Sequence, residues 1–388
     1  MSTIHIWPEE ITKTDGLVTT RVTLEQPDKI RHLLWYRFPE EYLALLSPNC
    51  DPFVVATLFK LMQSGKEVIV HGTVSPSLLQ NLSEFQAVWA CWRPDRYQPI
   101  EIRAEIEQEL TKLNELAEPV ITPFSGGVDS CFTVYRHHQR IGSRLQRHLT
   151  TAVMAHGLDI PLHQPKVFEN AKIRSEKMLS SLGMKLIPVA TNFRSLKDDW
   201  EDACGVAVAS CLILFQGGYK IGLIPSGEPY QSLPQIWGSH PLTNPLLSNQ
   251  NFSVIHDGAA FSRSQKVAHL AHWPEALRWM RVCWQGKHKD RNCGQCEKCI
   301  RTILNFRVLG LGLPGCFEQD ITDQQLATLR IRSAAQFIEF ELILQSAQER
   351  QLSDRWVKIL KQSISRNKMI AKLKNRFPYL INQLKKFR

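Results

Sequence analysis

A chain of 388 residues, 43% apolar and 22% charged, has the composition of an ordinary folded protein rather than a disordered or fibrous one. It is long enough for an α/β catalytic unit with one or two smaller appended units. The net charge of +10 is local: Arg355 to Arg388 carries eleven basic residues and no acid, leaving 36 basic against 37 acidic residues elsewhere, so the basicity belongs to the C-terminal tail and not to the body. The stretch Gly205 to Phe215 is too short to span a bilayer, and Met1 to Glu10 lacks a basic start followed by an apolar run; a cytoplasmic location is expected.

In chain order, residues 1–112 mix short alternating stretches (Val18 to Leu24, Glu67 to His71, Ile100 to Glu105) with helical patterns over Pro52 to Met62 and Ser77 to Trp92. This predicts a small α+β unit without a catalytic motif, its aromatics Trp35, Tyr36, Phe38, Trp89 and Trp92 filling a core. From residue 113 the pattern becomes short apolar runs alternating with helices: Val120 to Phe124, Leu149 to Ala155, Lys185 to Ala190 and Lys220 to Pro225. Buried strands alternating with helices predict an α/β fold, a doubly wound parallel sheet over 113–282, with ligands beyond the carboxyl ends of its strands.

Directly after the first run stands Ser125-Gly126-Gly127-Val128-Asp129-Ser130, followed by a helical pattern from Cys131 to Arg140. Two glycines permit a tight turn close to an anion, and the helix start offers unpaired backbone NH groups and the positive end of its dipole. Ser125 and Ser130 add hydroxyl donors. Asp129 suits acceptance of loop NH groups or placement of Mg2+ and, as a surface-loop carboxylate, is expected to contribute little to stability. A Walker loop is excluded, because Gly65-Lys66 and Gly286-Lys287 are followed by Glu67 and His288 instead of Ser or Thr.

Cys283 is followed by Cys293-Gly294-Gln295-Cys296-Glu297-Lys298-Cys299. Four thiolates at these intervals suit a closed tetrahedral Zn2+ site that contributes folding free energy, over a segment of 283–315. A bacterial ferredoxin run would need a cysteine at position 303, where Ile303 stands. Cys50, Cys91, Cys131, Cys204, Cys211 and Cys316 stand apart, and no disulfide framework is implied.

With both motifs in view, the chain resembles the PP-loop ATP pyrophosphatases, and within them the 7-cyano-7-deazaguanine synthase branch. Further matches are His156-Gly157-Leu158-Asp159 and Ser262-Arg263-Ser264-Gln265-Lys266-Val267; the likeness covers about residues 118–305. It implies adenylation of a carboxylate or carbonyl oxygen by ATP, with pyrophosphate and then AMP released as a nitrogen nucleophile attacks. It also implies a nucleotide-binding set of Ser125, Gly126, Gly127, Val128, Asp129, Ser130, His156, Asp159, Gly227 and Glu228, a catalytic set of Asp129, Ser130, Arg263 and Lys266, and a metal set of Cys283, Cys293, Cys296 and Cys299. The cofactors implied are ATP, Mg2+ and Zn2+. Departures lie at substrate-reading positions: Asp159 is followed by Ile160-Pro161-Leu162-His163, and the fourth-strand loop continues into Trp237-Gly238-Ser239-His240-Pro241. A diverged paralogue acting on another carboxylate is expected.

Two rival functions share these motifs: a tRNA sulfurtransferase of the same fold, which needs a catalytic cysteine in the crevice, and a non-catalytic nucleotide- or RNA-binding module. In the helical basic region 316–388, Trp356, Ile359, Leu360, Ile370, Leu373 and Phe377 recur at near-helical spacing before Pro378. Such a helix either lies on RNA or anionic membrane or docks its apolar stripe on the body; docking, separable from the chemistry, is the expectation. A homodimer is compatible with the sequence.

Overall fold

The computed structural model describes residues 3–110, 119–142, 144, 146–232, 236–283, 285–286 and 288–376. The boundary expected at 112/113, Lys287, and the tail from Phe377 and Pro378 onward lie outside the described residues. The first part of the chain forms β1 (Ile4–Pro8), β2 (Thr12–Thr14), β3 (Leu17–Glu25), β4 (Arg31–Pro39), α1 (Asp51–Ser64), β5 (Val68–Val74), α2 (Pro76–Trp92) and β6 (Ile102–Glu107). The second forms β7 (Val120–Pro123), α3 (Val128–His138), β8 (Leu149–His156), α4 (Pro165–Ser180), β9 (Lys185–Thr191), α5 (Trp200–Ile213), β10 (Ile221–Pro225) and β11 (Ser253–Asp257). Six helices follow: α6 (Arg263–Leu270), α7 (Pro274–Trp279), α8 (Glu297–Val308), α9 (Asp323–Ala327), α10 (Ala334–Glu349) and α11 (Arg355–Arg376).

The fold is α/β, with all eleven strands in one mixed sheet ordered β11-β10-β7-β8-β9-β4-β3-β1-β5-β6, and β2 beside β3. Strands β7 to β11 are mutually parallel. Their spatial order, with β7 between β8 and β10, is the doubly wound arrangement in which the chain reverses direction across the sheet after β9. Alternate residues of these strands feed two cores. Val153, Ile187 and Val189 pack with α1, α2 and α5, whereas Ala152, Met154 and Leu186 pack with α3, α4 and the C-terminal helices.

Residues 1–112, expected as a unit of their own, join this sheet directly. β4 pairs antiparallel with β9 through Tyr36↔Thr191 and Arg37↔Ala190, and the first core contains side chains from both parts of the chain. A buried polar knot reinforces the joint: Asp51 accepts from Ser75 N (2.9 Å) and Asn249 Nδ2 (2.8 Å), and Gln216 Nε2 donates to Ser47 Oγ (2.8 Å) and Asn49 Oδ1 (3.0 Å). Tyr36, Phe38 and Trp89 fill the core as expected, while Trp35 and Trp92 are only partly covered.

The tail helix α11 docks, through Trp356, Leu360 and Ile364, on the second core. Its stripe leaves the body farther on, where Met369, Ile370 and Leu373 are exposed. Among the described residues, no helix is long and apolar enough to cross a membrane.

Candidate nucleotide and metal sites

Strand β7 ends at Pro123, and the backbone turns through Gly126 (φ +75°) into α3, capped by Gly127. The positive φ makes Gly126 the residue type the turn requires. The loop thus lies between β7 and β10, where the doubly wound order reverses and a crevice opens at the carboxyl ends of the strands. Within it, Ser125 Oγ accepts from Gly127 N (3.3 Å), Ser130 Oγ donates to Gly127 O (3.1 Å), and the two hydroxyl oxygens stand 3.3 Å apart. The first turn of α3 leaves backbone NH groups without intrahelical acceptors.

A small polar cleft opens over the loop, lined by Ser125, Gly127, Asp129, Ser130, Asp159, Arg263, Arg281, Lys298 and Thr302. A second, mostly apolar cavity shares Ser125, Asp159 and Arg281 with it and is lined further by Phe124, Val153, Met154, Leu158, Ile160, Trp200 and Cys211. A polar cleft and an apolar cavity thus share one wall. Gly157, at the end of β8, has φ +104°, and a Cβ there would stand 1.9 Å from Thr191 O, so the turn that presents Asp159 admits only glycine.

Asp129 does not accept loop NH groups through its side chain. Its Oδ1 lies 3.0 Å from Lys266 Nζ and its Oδ2 3.2 Å from Arg263 Nη2, both on α6. Burial by itself would raise the Asp129 carboxyl, but the Arg263 guanidinium and Lys266 ammonium outweigh it and hold it down at about 2. Arg263 and Lys266 are 8% and 1% exposed, so this is no surface pair. The chain of charges continues inward: Arg263 Nε reaches Glu339 Oε2 (3.0 Å) on α10, Arg301 Nη1 reaches the same oxygen (3.3 Å), and Arg301 Nε reaches Glu297 Oε1 (3.0 Å). A capping box of Ser262 and Gln265 fixes the start of α6 and thereby aims Arg263 and Lys266.

The remaining expected residues divide. Asp159 lines both cavities, with Arg281 Nη2 3.9 Å away. His156 is buried at the foot of its turn, where Nε2 donates to Pro161 O (3.0 Å) and the ring stacks on Phe168 at 4.5 Å; it lines neither cavity. Burial also lowers its pKa, as befits a neutral structural histidine. Gly227 and Glu228 likewise line neither cavity. Glu228 has a buried Oε2 without a hydrogen-bond partner, and burial, followed by the nearby Glu339 carboxylate, pushes its carboxyl up to about 7.

Sequence reasoning missed Arg281, Glu339 and Lys298. Arg281 backs the loop of Ser125 to Ser130, its N donating to Gly126 O (2.7 Å) and its Nη2 to Ser125 O (3.0 Å). Glu339 lies far along the chain, and its only signal was an acid amid the apolar run Phe337-Ile338-Glu339-Phe340. Lys298 lay within the cysteine motif and was read only as spacing.

The sulfur atoms of Cys283, Cys293, Cys296 and Cys299 all lie within 4.8 Å of one another, so the four cysteines can hold a metal ion such as zinc. Gly294 (φ +70°) makes the turn between Cys293 and Cys296, and Cys293 Sγ accepts from Cys296 N (3.3 Å), as a thiolate ligand does. Asn292 braces the other strand of the site, its Oδ1 accepting from Val282 N (2.9 Å) and its Nδ2 donating to Met280 O (2.9 Å).

No family model matches the chain, and no solved structure matches it. A curated protein with a stretch similar to this chain is an anthocyanidin 3-O-glucoside 5-O-glucosyltransferase from Perilla frutescens, 31% identical over 90 residues. Those residues are 23% of this chain and 20% of that protein, so the chain spans about a fifth of that relative's length.

Proposed function

We propose that this chain is an AMP-forming ligase of the PP-loop ATP pyrophosphatase type, closest to the 7-cyano-7-deazaguanine synthase branch but acting on another carboxylate. The observation that carries this reading is the Ser125 to Ser130 loop at the sheet's reversal point, with a polar cleft over it and an apolar cavity that shares the wall of Ser125, Asp159 and Arg281. In this reading the loop and the α3 start hold the pyrophosphate portion of ATP, and the apolar cavity takes the base. The acceptor carboxylate attacks the α phosphorus, the bond to the bridging α–β oxygen breaks, and pyrophosphate leaves with the electron pair. A nitrogen nucleophile then adds to the activated carbonyl carbon and AMP departs. Both Asp129 oxygens are taken by Lys266 and Arg263, so Asp159 is the carboxylate available for Mg2+ beside the phosphates, and Zn2+ in the cysteine site has a structural role.

The thiols disfavour the sulfurtransferase alternative. Cys131 is fully buried, with burial pushing its thiol well above the usual range; burial likewise pushes Cys204 and Cys211 up to about 12. None of the three is poised as a thiolate nucleophile.

ATP labelled at the α phosphate, incubated with a panel of carboxylates, ammonia and Mg2+, should yield labelled AMP and pyrophosphate only with the correct acceptor. Release of ADP, or transfer from a sugar nucleotide without ATP, would rule the proposal out.

A further inference from the structure

The two segments that carry the cysteines also wall the phosphate cleft. Arg281-Val282-Cys283 runs along one side, while the first turns of α8 bring Lys298 and Thr302 to the cleft. Lys298 stands between Cys296 and Cys299, whose sulfurs are 3.5 Å apart, so the backbone on both sides of the lysine is tied to the cysteine site.

The cations of the cleft are not equally satisfied. Arg263 and Lys266 are neutralised by Asp129 and Glu339. Lys298 is half-buried and, among the described residues, has no ion-pair partner. Arg281 is 7% exposed and has a buried Nε without a hydrogen-bond acceptor. An ammonium and an unsatisfied guanidinium nitrogen beside a helix start form a cleft short of negative charge and rich in donors. Asp159 lines it too, which suits a phosphate bound with a divalent cation better than a simple anion.

We propose that Lys298 is a direct ligand of the pyrophosphate portion of the nucleotide, so that the cysteine site, beyond its contribution to folding, positions a phosphate-binding side chain. This rests on the nucleotide reading above. It also gives the Cys-x-x-Cys-x-x-Cys spacing a second use: the lysine occupies an interval position between two anchored ligands, which limits how far its backbone can move.

The test is binding of inorganic pyrophosphate with Mg2+ to the full-length, metal-loaded protein by calorimetry, with metal content and Tm measured in parallel. Lys298→Met should weaken binding by about ten- to a hundredfold, the loss typical of a charge-assisted hydrogen bond, with metal content and Tm unchanged. Lys298→Arg should retain most of the affinity, and Lys372→Met on the exposed face of α11 should retain all of it. Undiminished binding by Lys298→Met would overturn the assignment of Lys298 and leave the nucleotide reading standing. Absence of pyrophosphate binding by the unaltered protein would overturn both.

Discussion

Asp129 illustrates how burial changes the meaning of a motif residue. As the acid of a surface loop it would be nearly neutral for stability; as the counter-charge to two buried cations it is not. Asp129→Ala is therefore expected to cost about 3 kcal/mol of stability and to lower turnover, because it leaves Lys266 without its counter-charge and Arg263 with Glu339 alone. Adding Lys266→Met should recover part of the stability but none of the turnover; equal Tm values for the single variant and the unaltered chain would contradict this account. Glu228 makes the opposite case. Its folded-state carboxyl sits near 7 against an ordinary 4.5, so the folded state holds the proton more tightly than the unfolded chain. That stabilisation is complete below about pH 4.5 and is lost as pH rises through 7. Chemical denaturation of Glu228→Gln from pH 5 to 8 should give a flatter profile than the unaltered chain, which should lose roughly 1–3 kcal/mol over this range relative to the variant. Parallel profiles would show that Glu228 is solvated.

Among the elements, the cysteine segment and the C-terminal helices are less separable than their sequence suggests. Elemental analysis should find about one zinc per chain, and Cys296→Ser should lower metal content and soluble yield together; iron with visible charge-transfer absorbance would contradict zinc. Helix α11 is expected from the sequence to dock yet be separable from the chemistry; in the structure Leu360 is fully buried and α11 packs with α10, which carries Glu339 to Arg263. Leu360→Ala should cost about 2–4 kcal/mol, and truncation after residue 350 should abolish cooperative melting instead of leaving the body intact. What was legible follows a physical rule. The strands over 120–124, 149–155, 185–190 and 220–225, the helices α1 and α2, the glycine turn into α3 and the cysteine cluster were all readable, because local periodicity or ligand spacing encodes them. β4 was not: its Leu33, Trp35 and Arg37 face away from the buried Leu34, Tyr36 and Phe38, so apolar residues occupy both faces and blur the period of two. Nor does any local pattern encode the meeting of Asp129 with Glu339 through Arg263, a contact between residues more than two hundred positions apart.

At the scale of the whole molecule, one sheet and a shared core join regions with different sequence signatures. Residues 1–110 and 119–376 should unfold together: a urea transition followed by tryptophan fluorescence should coincide with one followed by far-ultraviolet circular dichroism, and Asp51→Ala should shift both equally. Two resolved transitions would mean that the β4–β9 seam is weak. The seam has another effect, on association between molecules. A doubly wound sheet ending at β9 would present a row of unpaired NH and carbonyl groups ready to add a strand from another chain. With β4 laid against β9, that boundary is closed, and among the described residues the strand order ends at β11 and β6. On β6, Arg103, Glu105 and Glu107 put charge along the open side, a sequence that resists edge-to-edge growth into aggregates.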